Sequence, residues 1–232
     1  MLFRSNTAYS ALQLRAVTAA GNGDATASFS GTTVATAPSI TSIAAASTTS
    51  LTVNFSAPTQ AANSTPATIT NYEYSTDGGT TWKVRNTTGT SSPITITLKS
   101  DTGLALASNT SYSVKIRAVN SAGSGVASGA TSGSTLAAAP TSPVATAVTG
   151  DGASLSVAFT APTGAGSITR YEFSTDGGST WATATGTTSP VTLGGLTANT
   201  AFSALQLRAV TAAGNGDATS SFSGRSEEHT SE

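Results

Sequence analysis

The sequence predicts an all-β protein assembled from repeated sandwich units, on three observations. The first is internal repetition. Residues 6–31 read NTAYSALQLRAVTAAGNGDATASFSG and residues 199–224 read NTAFSALQLRAVTAAGNGDATSSFSG, so only two of 26 positions differ, Tyr9/Phe202 and Ala27/Ser220. A looser third copy, NTSYSVKIRAVNSAGSGVAS, occupies residues 109–128. The second is period-2 alternation: Leu51, Val53 and Phe55 alternate with Thr52 and Asn54, and Leu155, Val157 and Phe159 with Ser156 and Ala158. That is the pattern of strands with one buried face. The third is that no stretch carries sustained helical periodicity between caps.

Matching blocks set the unit. SLTVNFSAP at residue 50 returns as SLSVAFTAP at 154, YEYSTDGGTTW at 72 as YEFSTDGGSTW at 171, and IRAV at 116 as LRAV at 207, offsets of 104, 99 and 91. The shrinking offset places the lost residues in connections, where length is tolerated. The expected organisation is a truncated unit over 1–36, two complete units over 37–138 and 139–224, and a non-native tail over 225–232. That tail, RSEEHTSE, back-translates to a sequence resembling a sequencing-library adapter. It is set aside in reading the fold. Residues 1–10 lack the apolar run of a signal peptide,.

Composition excludes several chemistries. There is no cysteine, and the one histidine, His229, lies in the tail. Thiolate nucleophiles, Cys/His zinc sites and imidazole acid–base catalysis are therefore absent from the repeats. Charged residues are 9% of the chain, against about 25% in an ordinary soluble domain. No basic stripe exists to neutralise phosphates, which argues against a nucleic-acid partner. No segment has the apolar length that would insert into a membrane.

The order of blocks, a proline opening, then SLTVNFSAP, I-x-x-YEYS, an L-x-x-x-T-x-Y block and RAVNSAGSG, resembles the fibronectin type III domain. The resemblance covers the whole chain except the tail. It implies tandem immunoglobulin-like β-sandwiches, two complete and one truncated, each of seven strands with Greek-key connections. Carried over, strand B falls at 51–55 and 155–159, and strand C at 71–75 and 170–174. C′ begins near Trp82 and Trp181, and strand F spans 112–119 and 202–210. The family's corner motif maps to Leu106, Thr110 and Tyr112, and in the third unit to Leu196, Thr200 and Phe202. Phe202 has no hydroxyl to bond backbone, a loss of about 1 kcal/mol.

Two finer expectations follow. The third copy has one residue more between Phe202 and its arginine than the second has after Tyr112. Strict alternation would bury Gln206 and expose Leu205 and Leu207, so a β-bulge near residues 203–204 is predicted to restore the phase. Glu73 and Glu172 sit outward on strand C, and Arg117 and Arg208 outward on strand F. Cross-strand pairs Glu73–Arg117 and Glu172–Arg208 are expected, as exposed pairs of about 0.2–1 kcal/mol.

The sharpest motif is STDGGTTW (75–82) and STDGGSTW (174–181), which matches the Asp-box pattern of sialidase propellers. Its physical content is a tight turn, with Asp77 or Asp176 capping backbone N–H groups, glycine at positive φ, and the tryptophan folded over it. Propeller blades would need the box about every 50 residues, not every 99. A retaining glycosidase needs carboxylates about 5–5.5 Å apart. Glu73 and Asp77, four residues apart on extended chain, would be roughly 13 Å apart. AGNGD at 20–24 and 213–217 falls in the expected F–G loop, where some members of the family carry an integrin-binding tripeptide. Asn-Gly reads more simply as the hairpin turn. Sequons stand at Asn54, Asn63, Asn86 and Asn109.

The functional expectation is a non-catalytic structural or interaction module. It would be a spacer or stalk segment of a large, bacterial-type repeat protein that the resemblance places outside the cell or on its surface. The alternative is an accessory spacer or weak glycan-binding region of a secreted carbohydrate-active enzyme. An exposed row of aromatic residues would favour that alternative, and their burial the spacer. No catalytic residue, cofactor or metal ligand is expected. The partner is left open between protein and glycan, and oligomeric state is left open too. In the truncated unit, Phe3, Tyr9, Leu12, Leu14 and Phe29 belong to a core whose other sheet is missing, so this hairpin is expected to pack poorly.

Overall fold

Alternating residues do fold as strands here, and nothing folds as a helix among the described residues. The computed structural model describes residues 5–59, 67–86, 89–148 and 151–227. The strands are β1 (Ala8–Leu12), β2 (Val17–Thr18), β3 (Gly21–Asn22), β4 (Phe29–Thr32), β5 (Ser39–Ser47), β6 (Ser50–Ser56), β7 (Asn71–Ser75), β8 (Lys83–Val84), β9 (Ile94–Ile96) and β10 (Ser111–Asn120). They continue as β11 (Gly123–Ala127), β12 (Thr131–Ser134), β13 (Thr141–Val148), β14 (Asp151–Thr160), β15 (Ile168–Ser174), β16 (Ala182–Thr183), β17 (Val191–Leu193), β18 (Ala201–Thr211), β19 (Gly214–Ala218) and β20 (Phe222–Arg225). No described helix is long and apolar enough to cross a membrane. By packing, the chain divides into two compact units: Met1–Ile43 with Thr52–Gly103 and Tyr112–Ser132, and Ala44–Leu51 with Leu104–Ser111 and Gly133–Glu232.

The sheets repeat. β5-β6-β9 and β13-β14-β17 are three-stranded; β11-β10-β7-β8 (with β12 on β10) and β16-β15-β18-β19 (with β20 on β18) are five-stranded. Every pairing given between these strands is antiparallel. One core joins β14 and β17 to β15 and β18 through Leu155, Val157, Val191, Leu193, Tyr171, Phe173, Leu205 and Leu207. Side chains from a three-stranded and a five-stranded sheet thus meet face to face, which is a β-sandwich. Phe159 meets Tyr171 edge-on at 4.6 Å, and Phe55 meets Tyr72 in the same way at 4.7 Å. Alternation in β6 is strict: Leu51, Val53 and Phe55 are buried. The fold is therefore the all-β, tandem-sandwich class that the repetition and alternation predict.

The bulge is where phase demands it. Phe202 pairs with Gly224 and Leu205 with Phe222, three residues advancing against two. Leu205 and Leu207 are both fully buried, while Gln206 turns out, its amide 3.5 Å from Ser221 Oγ. The same irregularity lies between Tyr9 and Leu12 in β1.

The first copy is a comparison the chain makes with itself. β18 runs unbroken over Ala201–Thr211, and β15 pairs with its residues from Gln206 to Thr211. The first-copy sequence, which differs over this stretch only at Tyr9, forms only β1 and β2, with residues 13–16 outside any strand. That gap falls where β15 would have bonded. Leu14 is 67% exposed and Val17 73%, whereas their counterparts Leu207 and Val210 are 0% and 4%. What survives is local: the Leu14 N–H still donates to Thr26 Oγ1 at 3.0 Å, as Leu207 N–H does to Thr219 Oγ1 at 3.1 Å.

One expectation is corrected. The Asn-Gly pair is not the hairpin turn. The turns are at residues 19–20, 121–122 and 212–213, each followed by a glycine at positive φ: Gly21, Gly123 and Gly214. Asn215-Gly216-Asp217 lies inside β19, and Asp217 N–H bonds Ala137 O at 3.0 Å. The hairpin closes one residue earlier because a two-residue turn needs positive φ beside it, and Gly214 supplies it.

Residues 225 and 226 join the last strand pairing. Arg225 ends β20, and Ser226, 1% exposed, accepts from Thr200 N–H at 3.1 Å. Thr33 and Thr135 accept from Thr7 and Thr110 in the same way at 3.1 Å. A hydroxyl at that position suffices, and ladder bonds need no particular side chain. Residues 228–232 lie outside the described residues, as do Phe3 and the sequon at Asn63. Of the other sequons, Asn86 is exposed and Asn54 is half-buried, its amide donating to Ser42 Oγ at 3.0 Å. Asn109 is buried.

Candidate functional site

The residues that carry the chemistry of this chain gather at the STDGG turns and the sheet face beside them. Ser75 ends β7 and is fully buried; its hydroxyl donates to Asp77 Oδ1 at 2.6 Å and accepts from Gly79 N–H at 2.8 Å. Asp77 Oδ1 receives N–H groups of Thr80 and Thr81, both at 3.0 Å, and Oδ2 the Thr81 hydroxyl at 2.6 Å. Gly78 and Gly79 take φ of +76° and +100°, where a side chain is strained. Trp82 folds back and donates Nε1–H to Gly79 O at 3.1 Å. The second box repeats this: Ser174 to Asp176 at 2.6 Å, Thr180 Oγ1 to Asp176 at 2.6 Å, and Trp181 Nε1 to Gly178 O at 3.0 Å.

These bonds fix the charge. Burial is the largest single influence on the Asp77 carboxyl and raises it, but the hydrogen bonds from Ser75, Thr81 and Thr80 together outweigh it and bring the pKa down to about 2. Ser174 and Thr180 hold the Asp176 carboxyl well below the usual range. A depressed carboxylate stabilises the fold above its unfolded value and stops doing so as pH falls through the folded one. The Asp77 contribution is therefore complete above about pH 4 and disappears toward pH 2. Asp77→Asn should lower the urea midpoint of the parent at pH 6 and differ much less from it at pH 2. A gap that is the same at both pH values would mean that charge plays no part in the turn.

On the neighbouring face Arg117 pairs across strands with Glu73, at 2.5 Å, and Arg208 with Glu172, at 2.7 Å. Both pairings follow the sequence. Their setting does not, because these are not exposed pairs. Each guanidinium lies over the tryptophan of its own box, 4.2 Å from the Trp82 ring centre and 4.0 Å from that of Trp181. Glu172 is only 8% exposed and also binds Arg170 at 2.7 Å. Burial raises the Glu172 carboxyl, but Arg208 and Arg170 pull it net downward. Glu73 takes its further bond from Ser124 Oγ at 2.8 Å. A cation stacked on indole gains beyond its ion pair, so tryptophan, arginine and glutamate form one layered unit per repeat.

Chemically this arrangement holds the sheet together rather than offering a reactive group. Asp77 and Asp176 spend their oxygens on turn donors, Glu172 both of its on arginines, and Glu73 Oε2 accepts from Arg117 and Ser124. Asp77, Asp176 and Glu172, whose carboxyls are held below the usual range, are poorly suited to act as general acids,. Among the described residues no group of three or more His, Cys, Asp or Glu could hold a metal ion. Tyr72, Tyr74, Tyr171 and Phe173 are buried in the core. Each sheet face keeps one half-exposed tryptophan, with arginine on its ring.

Sequence reasoning found the boxes and the cross-strand pairs. It missed Arg170, Ser124 and Ser100, whose hydroxyl accepts from Thr76 N–H at 2.9 Å. It also missed the stacking, although both full repeats place a tryptophan after the box and an arginine on the next long strand.

What the fold and site define is an all-β protein of tandem antiparallel sandwiches, each faced by an Asp-capped turn and an arginine-stacked tryptophan. Among solved structures the chain is similar to the chicken CNTN1 FN1-FN3 domains, with 16% identity and a TM-score of 0.41, over 93% of this chain and 77% of that one. No family model matches the chain, and no curated protein matches it. The fold assignment rests on the sheets and core of the chain itself.

Proposed function

We infer that the chain is a non-catalytic spacer, a segment of an extended array of sandwiches that holds other modules apart outside the cell. The observation that carries this reading is repetition of the internal devices, strand for strand, in both full copies. Both copies reproduce the Asp-capped turn, the stacked tryptophan and the edge-on aromatic pair. Repeated units that each carry their own core suit a mechanical, length-setting role. Glycan binding would use a row of open aromatic rings, and here each tryptophan ring is already covered by a guanidinium.

Stretching single molecules tethered at their ends tests the reading. The expected result is two separate unfolding steps, each releasing about 300 Å, the length of some 90 extended residues. Extension without discrete resistance would remove the spacer function. Saturable binding to a β-linked glucan or chitin oligosaccharide would favour the accessory glycan-binding reading instead.

A further inference from the structure

Asn6, Asn109 and Asn199 stand at the same place in the three copies, just ahead of the strand that follows. All three take left-handed backbone, with φ of +50°, +47° and +48°, a conformation that asparagine tolerates better than most residues. Each main-chain N–H has an equivalent partner, the carbonyl of Val34, Leu136 or Glu227. Their exposure differs. Asn6 is 5% exposed and Asn109 3%, whereas Asn199 is exposed.

The cover is visible in both buried cases. Within the first compact unit, Ala67 N–H donates to Asn6 O at 3.2 Å. Within the second, Gly166 N–H donates to Asn109 O at 2.8 Å, and Asn109 Nδ2 donates back to Gly166 O at 2.6 Å. Ala67 and Gly166 both belong to the loop that leads into the strand of the YEYS or YEFS block, β7 or β15. The fit at Asn109 is tight. A Cβ on Gly166 would lie 2.1 Å from Asn109 Oδ1, and one on Gly164 would lie 2.6 Å from Asn109 Cβ. Recognition at Asn109 is thus of bare backbone, one N–H and one C=O presented by a Gly-x-Gly loop, and at Asn6 the equivalent Ala67 presents the N–H. At Asn199 the side-chain oxygen instead accepts from Arg225 Nη2 at 2.5 Å. Arg225 stands where the other copies have Thr32 and Ser134.

We propose that Asn199 is a docking site for one further repeat, gripping the Gly-x-Gly loop of that repeat as Asn109 grips residues 164–166. This rests on the reading of the chain as an array and names what Asn199 accepts. Asn109 shows the occupant in full, Asn6 takes the N–H of the equivalent Ala67, and a left-handed asparagine of the same shape stands exposed in the third copy.

The test extends the full chain, placing residues 134–224 directly after Gly224 in place of 225–232. The protein has no cysteine, so Ala198→Cys, beside the site and exposed, serves as a probe for a maleimide. The expected result is labelling at least about tenfold slower in the extended chain than in the original. The rate should be restored when the added copy carries valine in place of its counterpart of Gly166. An unchanged rate with the added repeat folded overturns the docking and leaves the spacer reading standing. Slowing that persists with the valine shows that something other than the loop covers the site, and also overturns it. An added repeat that fails to fold overturns both the docking and the array.

Discussion

Leu207→Ala should destabilise the third repeat by about 2–5 kcal/mol, the range for emptying a leucine-sized space in a packed core. Leu207 is fully buried among Leu155, Tyr171 and Phe173. Leu14→Ala changes the same residue in the same local sequence, but Leu14 is 67% exposed. Its effect should stay within about 0.5 kcal/mol, as at other surface positions. Urea unfolding followed through Trp181, with Trp82 replaced by Phe, measures the first, and through Trp82, with Trp181 replaced by Phe, the second, because Leu14 and Trp82 share one compact unit and Leu207 and Trp181 the other. Equal effects would mean that the first copy has a core after all.

Gly216→Ala should cost about 1–3 kcal/mol, as overpacking does where neighbours cannot yield. Its Cβ would lie 2.5 Å from Ala137 O and 2.9 Å from Ala209 O, both backbone atoms. Gly125 faces Ala35 O at the same 2.5 Å. Gly23 in the first copy meets nothing nearer than Ala16 O at 3.4 Å, so Gly23→Ala should be nearly silent. This contrast also bears on the Asn-Gly-Asp triplet. Its glycine is there so that the segment entering the sandwich can lie against β19, and the triplet is not the apex of a loop. A Gly216→Ala variant as stable as the parent would remove that account.

What the sequence made legible was whatever is encoded by spacing along the chain. Alternation placed β6, β14, β10 and β18; an extra residue before Arg208 located the bulge; the boxes announced their turns. Pairing of Glu73 with Arg117 followed once two strands were taken as neighbours. Contacts across long loops were not legible. Ser100 reaches Thr76 from 24 residues away, and Ser124 reaches Glu73 from 51. The Asn-Gly pair misled because its strong turn propensity was outweighed by Gly214, which closes the hairpin first. The burial of Ser226 shows that a position can be filled by any residue with the right donor or acceptor.

The central claim is that the repeated sequence becomes a continuous buried strand only when the rest of its sandwich is present. Amide hydrogen exchange tests it most directly, in peptides made distinguishable by Tyr9 and Phe202. In the peptide containing Phe202, the amides of residues 206–209 should exchange at least about 100-fold more slowly than those of residues 13–16 in the peptide containing Tyr9. Equal protection of the two segments would contradict the account.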